Sequence, residues 1–281
     1  MSCLLKIRAM RDDMSLIERK LADFILDNTH LLRDYSSQQL ADAIGVSQSS
    51  VVKFSQKLGY RGYPDLKFAV NEAVISASSQ QRRVASHPSQ ERSIASSFRE
   101  LRDATYAVLQ GVGDLNETEK LQHALKLLIA AETIQVAGFG KSAIVAKDFV
   151  LRLMQIGKVT LSSTDPALQI QMATTLSEGN VLFVVSDGGQ NSDILKIVRQ
   201  AKSKGAKVIS LTRYGNNPTS ILADIPLFAL GGDTHVRTDS VLMQLGMQHL
   251  CHVLYVQMCQ ALKVDALLEE SMNSHNLLDT K

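Results

Sequence analysis

Residues 36–67 read SSQQLADAIGVSQSSVVKFSQKLGYRGYPDLK and contain two short amphipathic segments on either side of a glycine. Apolar residues recur at helical spacing in Ser37–Ala43 and again in Ser47–Leu58, with a short turn between them. Gly45 can adopt the left-handed conformation that ends a helix, and Ser47 is a good cap for the helix that follows. This spacing predicts a helix-turn-helix.

The second helix of this motif presents polar and basic side chains, whereas Val51 and Phe54 are placed to pack inward. Short hydrogen-bonding side chains at the start of such a helix can reach base edges, and basic side chains contact phosphates. We therefore predict that DNA is contacted by Ser37, Ser47, Gln48, Ser49, Ser50, Lys53, Lys57 and Arg61. The alternative is an α-hairpin in a small helical bundle, with solvated serines on its surface.

The composition of the whole chain constrains its function only loosely. Its 281 residues exceed one ordinary domain of about 100–200 residues, so two domains are expected. The formal net charge of +2 is too small to mark the whole molecule as a polyanion binder, so a nucleic-acid site must be local. The first residues do not resemble a secretory signal, and no stretch approaches the ~20 apolar residues of a membrane helix. We expect a cytoplasmic protein without a membrane partner.

Several classes of catalytic and metal-binding motif are missing from the sequence. Cys3, Cys251 and Cys259 form no C-x-x-C pair and are expected to be structural thiols. H-E-x-x-H and G-x-S-x-G do not occur, and the segment around Gly140 is not a Walker loop because Val136 replaces its first glycine. We predict neither a metal ion nor a cofactor.

Patterning and composition divide the chain into three parts. Residues 1–76 show helical apolar spacing, and Ser15–Glu18 has the form of a capping box, which predicts a helix start. Residues 77–92 are rich in serine and poor in large apolar residues, which predicts a linker. Residues 93–281 alternate apolar runs with helical segments, which is typical of an α/β domain with a parallel sheet flanked by helices. The predicted fold class is therefore multidomain, with an all-α part before an α/β part.

Five short apolar runs in the third part are predicted strands. They read TIQVAGF, KVTLSS, NVLFVVS, AKVISLT and DIPLFAL, and helical or loop segments separate them. A long helix is predicted at the end of the domain, near Asp239–Leu262.

Two polar, glycine-rich turns follow predicted strands. GFGKS at residues 138–142 opens a helix, whose amino-terminal amides and Lys141 favour an anion, although such glycines also occur simply to allow tight packing. SDGGQN at residues 186–191 follows a later strand, and the carboxyl ends of parallel strands meet at one edge of the sheet. The predicted effector-binding residues are Gly140, Lys141, Ser142, Ser186, Asp187, Gly188, Gly189, Gln190, Asn191 and, on the last helix, Gln244.

Both parts of the chain resemble one family. Residues 44–67 resemble the amino-terminal domain of RpiR-type bacterial regulators, notably in Lys53-Phe54 and in Gly59-Tyr60-x-Gly62-Tyr63. The two turns resemble those of the sugar isomerase (SIS) domain, in which a G-x-G-x-S turn and a later S-x-[ST]-G-x-[ST] loop hold a phosphosugar. The resemblance to the RpiR family covers nearly the whole chain and is closest to MurR-like members.

This resemblance implies roles for individual residues. The hydroxyls of Ser142 and Ser186 would donate to phosphate, beside the amides of Gly189 and Gln190. It also implies a homodimer or a homotetramer.

The second turn departs from the family pattern. Gly188 replaces a hydroxyl residue, Asn191 stands where Thr or Ser is usual, and Asp187 adds a negative charge beside the expected phosphate. Two like charges ~4 Å apart repel by about 1 kcal/mol in water and by more in a crevice, unless Asp187 points outward. Asp187 could instead accept hydrogen bonds from sugar hydroxyls, or the second domain could have lost its ligand.

An isomerase or lyase of the SIS type needs a Glu or His as a proton-transfer base. The candidates are Glu178, His235, His249 and His252. The last two lie in the apolar terminal helix, where a packed or interfacial histidine is the simpler interpretation. His235 lies in GGDTHVRTDS, a segment that could face the crevice together with Arg237 and Ser240. We predict no catalytic residue.

We predict a DNA-binding transcriptional regulator whose second domain senses a sugar phosphate or a related carbohydrate. Its partners would be a small-molecule effector and double-stranded DNA with a pseudo-palindromic operator, because paired recognition helices read successive major grooves. The alternative is a SIS-type phosphosugar isomerase or lyase with a helical accessory domain.

Overall fold

The computed structural model describes residues 3–11, 14–29, 31–33, 35–71, 93–232 and 236–264. These residues form two compact units: the first covers the chain up to Ala104 together with Tyr214–Asn216, and the second covers Thr105–Arg213 and the chain from Asn217. The predicted linker, residues 77–92, lies outside the described residues. The domain boundaries drawn from the sequence therefore stay predictions.

The first unit is a bundle of short helices. They are α1 (Cys3–Met10), α2 (Leu16–Asp27), a turn of 3₁₀ helix (Leu31–Arg33), α3 (Ser37–Ile44), α4 (Gln48–Lys57) and α5 (63–71). The predicted capping box starts α2: Glu18 N donates to Ser15 Oγ, and Ser15 N donates to Glu18 Oε2. Ile25, Phe54 and Leu66 lie in one core, where burying such a side chain contributes about 1.5–3 kcal/mol.

The second unit is α/β, as predicted. It contains the carboxy-terminal part of α6 (Ile94–Leu115), followed by α7 (Thr118–Ala130), β1 (Thr133–Ala137), α8 (Ser142–Gln155), β2 (Val159–Leu161), α9 (Pro166–Thr174), β3 (Val181–Ser186), α10 (Ser192–Ser203), β4 (Lys207–Arg213), α11 (Pro218–Leu222), β5 (Ile225–Ala229) and α12 (Val236–Leu262). Each strand coincides with one of the five apolar runs, so the predicted fold class is confirmed.

The five strands form one parallel sheet in the order β2-β1-β3-β4-β5. Successive side chains of β3 face opposite sides: Val184 packs in a core with α9 and α10, while the ring of Phe183 lies 4.8 Å from that of Phe149 on α8. Burial on both faces explains why the strands are continuous apolar runs. The strand order reverses between β1 and β3, and ligands of such sheets bind beside the carboxyl ends at that point.

The three cysteines lie among the described residues. Cys3 and Cys251 are buried and Cys259 is half-buried, all as free thiols, and burial raises the pKa of the Cys251 thiol. Within residues 3–264, masked positions apart, no helix is long and apolar enough to cross a membrane. Over the same residues, no group of His, Cys, Asp and Glu is arranged to hold a metal ion.

Candidate functional site

The turn between α3 and α4 has the predicted geometry. Gly45 ends α3 in the left-handed conformation, with φ 73° and ψ 40°, and the amide of Val46 donates to Ala41 O at 2.9 Å. Ser47 caps α4, because its Oγ accepts a hydrogen bond from the amide of Ser50 at 3.2 Å. A side-chain oxygen at this position satisfies one of the amides that the first turn of a helix leaves unpaired.

Five of the predicted DNA-contacting residues lie together around the start of α4. Gln48 Nε2 donates to Ser37 Oγ at 2.8 Å, which links the two helices and restricts the Gln48 side chain. The hydroxyl of Ser47 lies 2.8 Å from those of both Ser49 and Ser50. The structure therefore brings these five polar residues together in one small, preorganised group.

The basic residues differ in whether they have a partner within the protein. Lys57 Nζ forms an ion pair of 2.7 Å with Glu18 Oε2, the same oxygen that accepts the Ser15 amide. Burial alone would raise the pKa of the Glu18 carboxyl, but its hydrogen bonds with Lys57 and Ser15 outweigh that effect and lower it. Lys53 is exposed and forms no ion pair with the described residues. Lys53 is therefore better placed than Lys57 to meet a phosphate.

Ser47→Ala is expected to lower the free energy of unfolding by about 1 kcal/mol in the absence of DNA, because it removes the cap of α4. Urea denaturation of the full chain measures this change. Ser49→Ala is the matched control, since Ser49 is equally exposed but caps no backbone amide in the described structure. Equal stability of the two variants would show that the Ser47 cap contributes nothing.

The first glycine-rich turn connects β1 to α8. Gly140 has a positive φ of 57°, which favours glycine. A Cβ at Gly138 would lie 2.9 Å from Ser142 O, so that glycine permits close packing of strand and helix. The amides of Ser142 and Ala143 already donate to Phe139 O and Gly140 O. The first amides of α8 are therefore less available to an anion than we expected from the sequence.

The second turn connects β3 to α10 and meets the first. The amide of Asp187 donates to Ser142 Oγ at 3.4 Å, which joins the two turns at the reversal of strand order. The amides of Gly188, Gly189 and Gln190 make no hydrogen bond with the described residues. Gly189 has φ 62°, and a Cβ there would overlap the Asn217 side chain. A residue other than glycine would therefore strain the backbone at position 189.

Ser186 and Asn191 bound the second turn and differ in their environments. Ser186 is buried at the end of β3, and its hydroxyl makes no hydrogen bond with the described residues. Asn191 caps α10, because its Oδ1 accepts the amides of Asp193 and Ile194 at 3.0 Å each. Asn191 thus replaces the hydroxyl residue of the family pattern and still caps the helix.

A pocket lies over the two turns, beneath the start of α12. Four predicted residues line it: Lys141, Ser142, Asp187 and Gln244. The other predicted effector residues, Gly140, Ser186, Gly188, Gly189, Gln190 and Asn191, do not line it. The lining is completed by Val145, Ser240, Met243 and Met247, and Lys141 Nζ donates to Ser240 Oγ at 2.6 Å. The pocket therefore combines one cation, hydroxyls and a carboxylate with an apolar wall, which consists of Val145, Met243 and Met247.

Arg213, at the end of β4, forms an ion pair with the acidic residue of the second turn. Its Nε donates to Asp187 Oδ1 at 3.0 Å, and its Nη1 and Nη2 donate to Asp239 Oδ1 and Oδ2 at 3.1 and 2.9 Å. Burial by itself would lower the pKa of the Arg213 guanidinium, but the two carboxylates outweigh it and raise that pKa above its ordinary value. Arg213 thus offsets part of the charge of Asp187 within the protein, while it also pairs with Asp239.

Sequence reasoning missed the apolar wall and the arginine. Met243 and Met247 lie at helical spacing with Ser240 and Gln244, which the sequence already suggested for the crevice, so this face of α12 could have been read from the sequence. Arg213 carried a weaker signal, since it only stands at the end of a predicted strand. His235 lies outside the described residues, as does the side chain of Arg237.

The other candidate bases do not reach the pocket. Glu178 precedes β3, at the amino end of a strand whose carboxyl end carries Ser186, so it lies at the opposite edge of the sheet. His252 Nε2 lies 2.9 Å from Asp148 Oδ2, between α12 and α8, and His249 does not line the pocket. Burial, followed by the charge of His252, lowers the pKa of His249.

Two family models match the chain. Residues 1–77 match the model described as the helix-turn-helix domain of the rpiR family, and residues 127–251 match the SIS domain. No match tests the likeness to MurR-like members, which stays a prediction.

The solved structures that are similar to this chain share its fold. The Vibrio vulnificus NanR protein, solved in complex with ManNAc-6P, is 24% identical, with 98% of each chain covered and a TM-score of 0.58. The sugar isomerase domain of an RpiR transcription factor from Sphaerobacter thermophilus is 21% identical, with 62% of this chain and 97% of that chain covered and a TM-score of 0.55. A phosphoheptose isomerase from Francisella tularensis is 18% identical over 60% of this chain and 99% of that chain, with a TM-score of 0.51.

The family models agree with the observed architecture in both units. The helix-turn-helix formed by α3 and α4 lies within the first match, and both glycine-rich turns and the pocket lie within the second. The chain therefore combines an rpiR-family helix-turn-helix domain with a SIS domain, and this combination identifies it as a DNA-binding regulator.

Proposed function

We propose that the SIS domain of this regulator binds a sugar phosphate in the pocket over the two glycine-rich turns, and that occupancy changes DNA binding by the helix-turn-helix. The observation that carries the proposal is the meeting of Ser142 and Asp187 at the reversal of strand order, with Lys141 beside them. Ligands of open parallel sheets bind at this place.

The groups around the pocket suit an anionic sugar. Lys141 supplies a positive charge, and its side-chain partner is the neutral hydroxyl of Ser240. The unpaired amides of residues 188–190 and the hydroxyl of Ser186 lie on the adjoining turn. We propose that the phosphate binds Lys141, Ser142 and the second turn, while Gln244 and Asp187 bind sugar hydroxyls.

The apolar wall narrows the class of sugar. Val145, Met243 and Met247 offer aliphatic and thioether surface. Burying this surface against a methyl-bearing substituent, such as an N-acetyl group, favours binding, whereas contact with a bare polyol contributes little. NanR, which shares this fold, was solved with ManNAc-6P. We propose an N-acylated amino-sugar phosphate as the effector class.

On the DNA side, we propose that Gln48, Ser49 and Ser50 contact base edges while Lys53 and Arg61 contact phosphates. A single such module reads few base pairs, so a homodimer or homotetramer on a pseudo-palindromic operator is the proposed form. Apolar side chains on α6 and α12 support this, since Phe98 is 73% exposed and Val256 49% exposed.

We propose that the chain is a cytoplasmic regulator without catalytic activity. An isomerase or lyase needs a proton-transfer base within hydrogen-bond reach of the sugar. The placement of Glu178 at the far edge of the sheet, and of His252 against Asp148, supports a binding role for the pocket. The competing proposal, a SIS-type isomerase or lyase, predicts substrate turnover and no footprint on DNA.

The deciding experiment combines a thermal-shift screen of the full chain with a DNA-binding assay. The screen uses N-acetylmannosamine 6-phosphate, N-acetylmuramic acid 6-phosphate, glucosamine 6-phosphate and the corresponding free sugars. A ligand at 100 times its Kd stabilises the native state by about 2.7 kcal/mol, which raises Tm by several degrees. We expect a phosphorylated sugar to raise Tm and to change the affinity for an operator selected from random DNA.

The same samples distinguish the two proposals. Chromatography of the sugar phosphate after long incubation should recover it unchanged. Turnover of the sugar together with no selectable operator would establish the enzyme instead.

A further inference from the structure

We infer that Arg213 is a specificity-determining residue of the effector site, because its ion pair with Asp187 allows an acidic turn to accept an anionic ligand. This inference rests on the proposed function. It explains how a second turn that carries the carboxylate of Asp187 can still bind a sugar phosphate.

The charges on the pocket lining show why the compensation matters. Lys141 and Asp187 are the two charged residues among the described lining residues. If both faced the ligand unpaired, the carboxylate would cancel the attraction of the ammonium group for phosphate. Arg213 contacts Asp187 Oδ1 at 3.0 Å and offsets part of its charge, so less of the attraction between Lys141 and the anion is cancelled.

Arg213 is itself held in a fixed position. Asp239 binds it through two hydrogen bonds, the bidentate geometry that best fixes a guanidinium group. A Cβ at Gly231 would overlap the Asp239 carboxylate, so the glycine leaves the space that this carboxylate occupies. Asp239 does not line the pocket, so it acts as a positioning residue for Arg213.

The pairing also leaves one oxygen of Asp187 available. The contacts of Arg213 fall on Oδ1, and Oδ2 makes no hydrogen bond with the described residues. An ionised carboxylate accepts hydrogen bonds and donates none. The ligand group that faces Asp187 is therefore a hydroxyl, an amine or an amide N–H, and a second anionic group at that position is excluded.

The test is a mutant cycle on the full chain, with Kd measured by calorimetry. The probe is whichever of N-acetylmannosamine 6-phosphate, N-acetylmuramic acid 6-phosphate and glucosamine 6-phosphate binds the wild type most tightly. Arg213→Gln is expected to weaken binding by about tenfold or more, because the charge of Asp187 then faces the phosphate. Arg213→Gln combined with Asp187→Asn and Asp239→Asn should bind within about threefold of Asp187→Asn combined with Asp239→Asn, since neither carboxylate partner of Arg213 is then charged.

Arg152→Gln is the matched control. Arg152 pairs with Asp148 in the same domain, its side chain is 33% exposed against 29% for Arg213, and it does not line the pocket. Its replacement should leave the Kd unchanged. If Arg213→Gln proves too unstable to measure, the comparison of the Asp187→Asn, Asp239→Asn variant with the triple variant still decides, because it leaves no unpaired carboxylate at this place.

Each outcome has a defined meaning. An unchanged Kd for Arg213→Gln, or a triple variant that binds much more weakly than the Asp187→Asn, Asp239→Asn variant, overturns the inference and leaves the proposed function standing. A wild type that binds none of the three probes refutes sugar-phosphate sensing itself, and the inference falls with it.

Discussion

Replacing both Ser142 and Ser186 by alanine is expected to abolish the response of DNA binding to the sugar phosphate, while DNA binding without ligand keeps its wild-type affinity. A hydrogen bond to a charged group contributes roughly 1.5–3 kcal/mol, so the loss of two weakens ligand binding by at least about 100-fold. Fluorescence anisotropy on a labelled operator, with and without the ligand found in the screen, measures both quantities.

These replacements should spare the fold. The Ser186 hydroxyl makes no hydrogen bond with the described residues, and Ser142 Oγ accepts one long bond of 3.4 Å from the Asp187 amide. Ser192→Ala is the control, because Ser192 is an exposed serine in the first turn of α10 and is not one of the predicted effector residues. A full ligand response in the Ser142→Ala, Ser186→Ala double variant would remove both serines from the site.

The features that could be predicted from the sequence are those fixed by neighbouring residues. The capping box of Ser15 and Glu18 and the left-handed Gly45 each depend on residues within one helical turn. The five strands were also predictable, since a parallel strand buried on both faces must be a continuous apolar run. In these places local preference and the tertiary fold agree.

Contacts between distant residues could not be predicted in the same way. Arg213 is 26 residues from Asp187 and 26 from Asp239, and nothing in the spacing of these residues shows that they meet. From the sequence, Asp187 presented only a conflict with phosphate. The ion pair of Lys57 with Glu18 was missed for the same reason, because 39 residues separate the partners.

The amides of the first turn illustrate a different limit. The sequence correctly predicted a helix start after Gly140, and helix starts generally offer unpaired amides. Here the chain enters α8 through a tight turn, in which the amides of Ser142 and Ala143 donate to preceding carbonyls. The pattern of residue types does not distinguish these two ways of starting a helix. We therefore expect the anion to be bound by Lys141, by the hydroxyls and by the second turn rather than by the first amides of α8.

Lys53→Ala is expected to weaken binding to every DNA sequence, whereas Gln48→Ala should mainly reduce discrimination between sequences. Losing one phosphate contact lowers the slope of log K against log salt by about 0.9. Losing a good base contact costs about 1–3 kcal/mol of discrimination, or roughly 5- to 150-fold. Binding to the selected operator and to random duplex, each at several salt concentrations, separates the two effects.

The environments of the two residues explain why their effects should differ. Lys53 is exposed and has no carboxylate partner among the described residues, so its charge is available to the backbone of any duplex. Gln48 is held by Ser37 at 2.8 Å and is therefore oriented before DNA arrives, which favours selective over general contact. Lys126→Ala, at an exposed position on α7, makes the same charge change outside the helix-turn-helix and should alter neither measurement. An unchanged salt slope for Lys53→Ala, together with unchanged selectivity for Gln48→Ala, would mean that DNA is read by another surface.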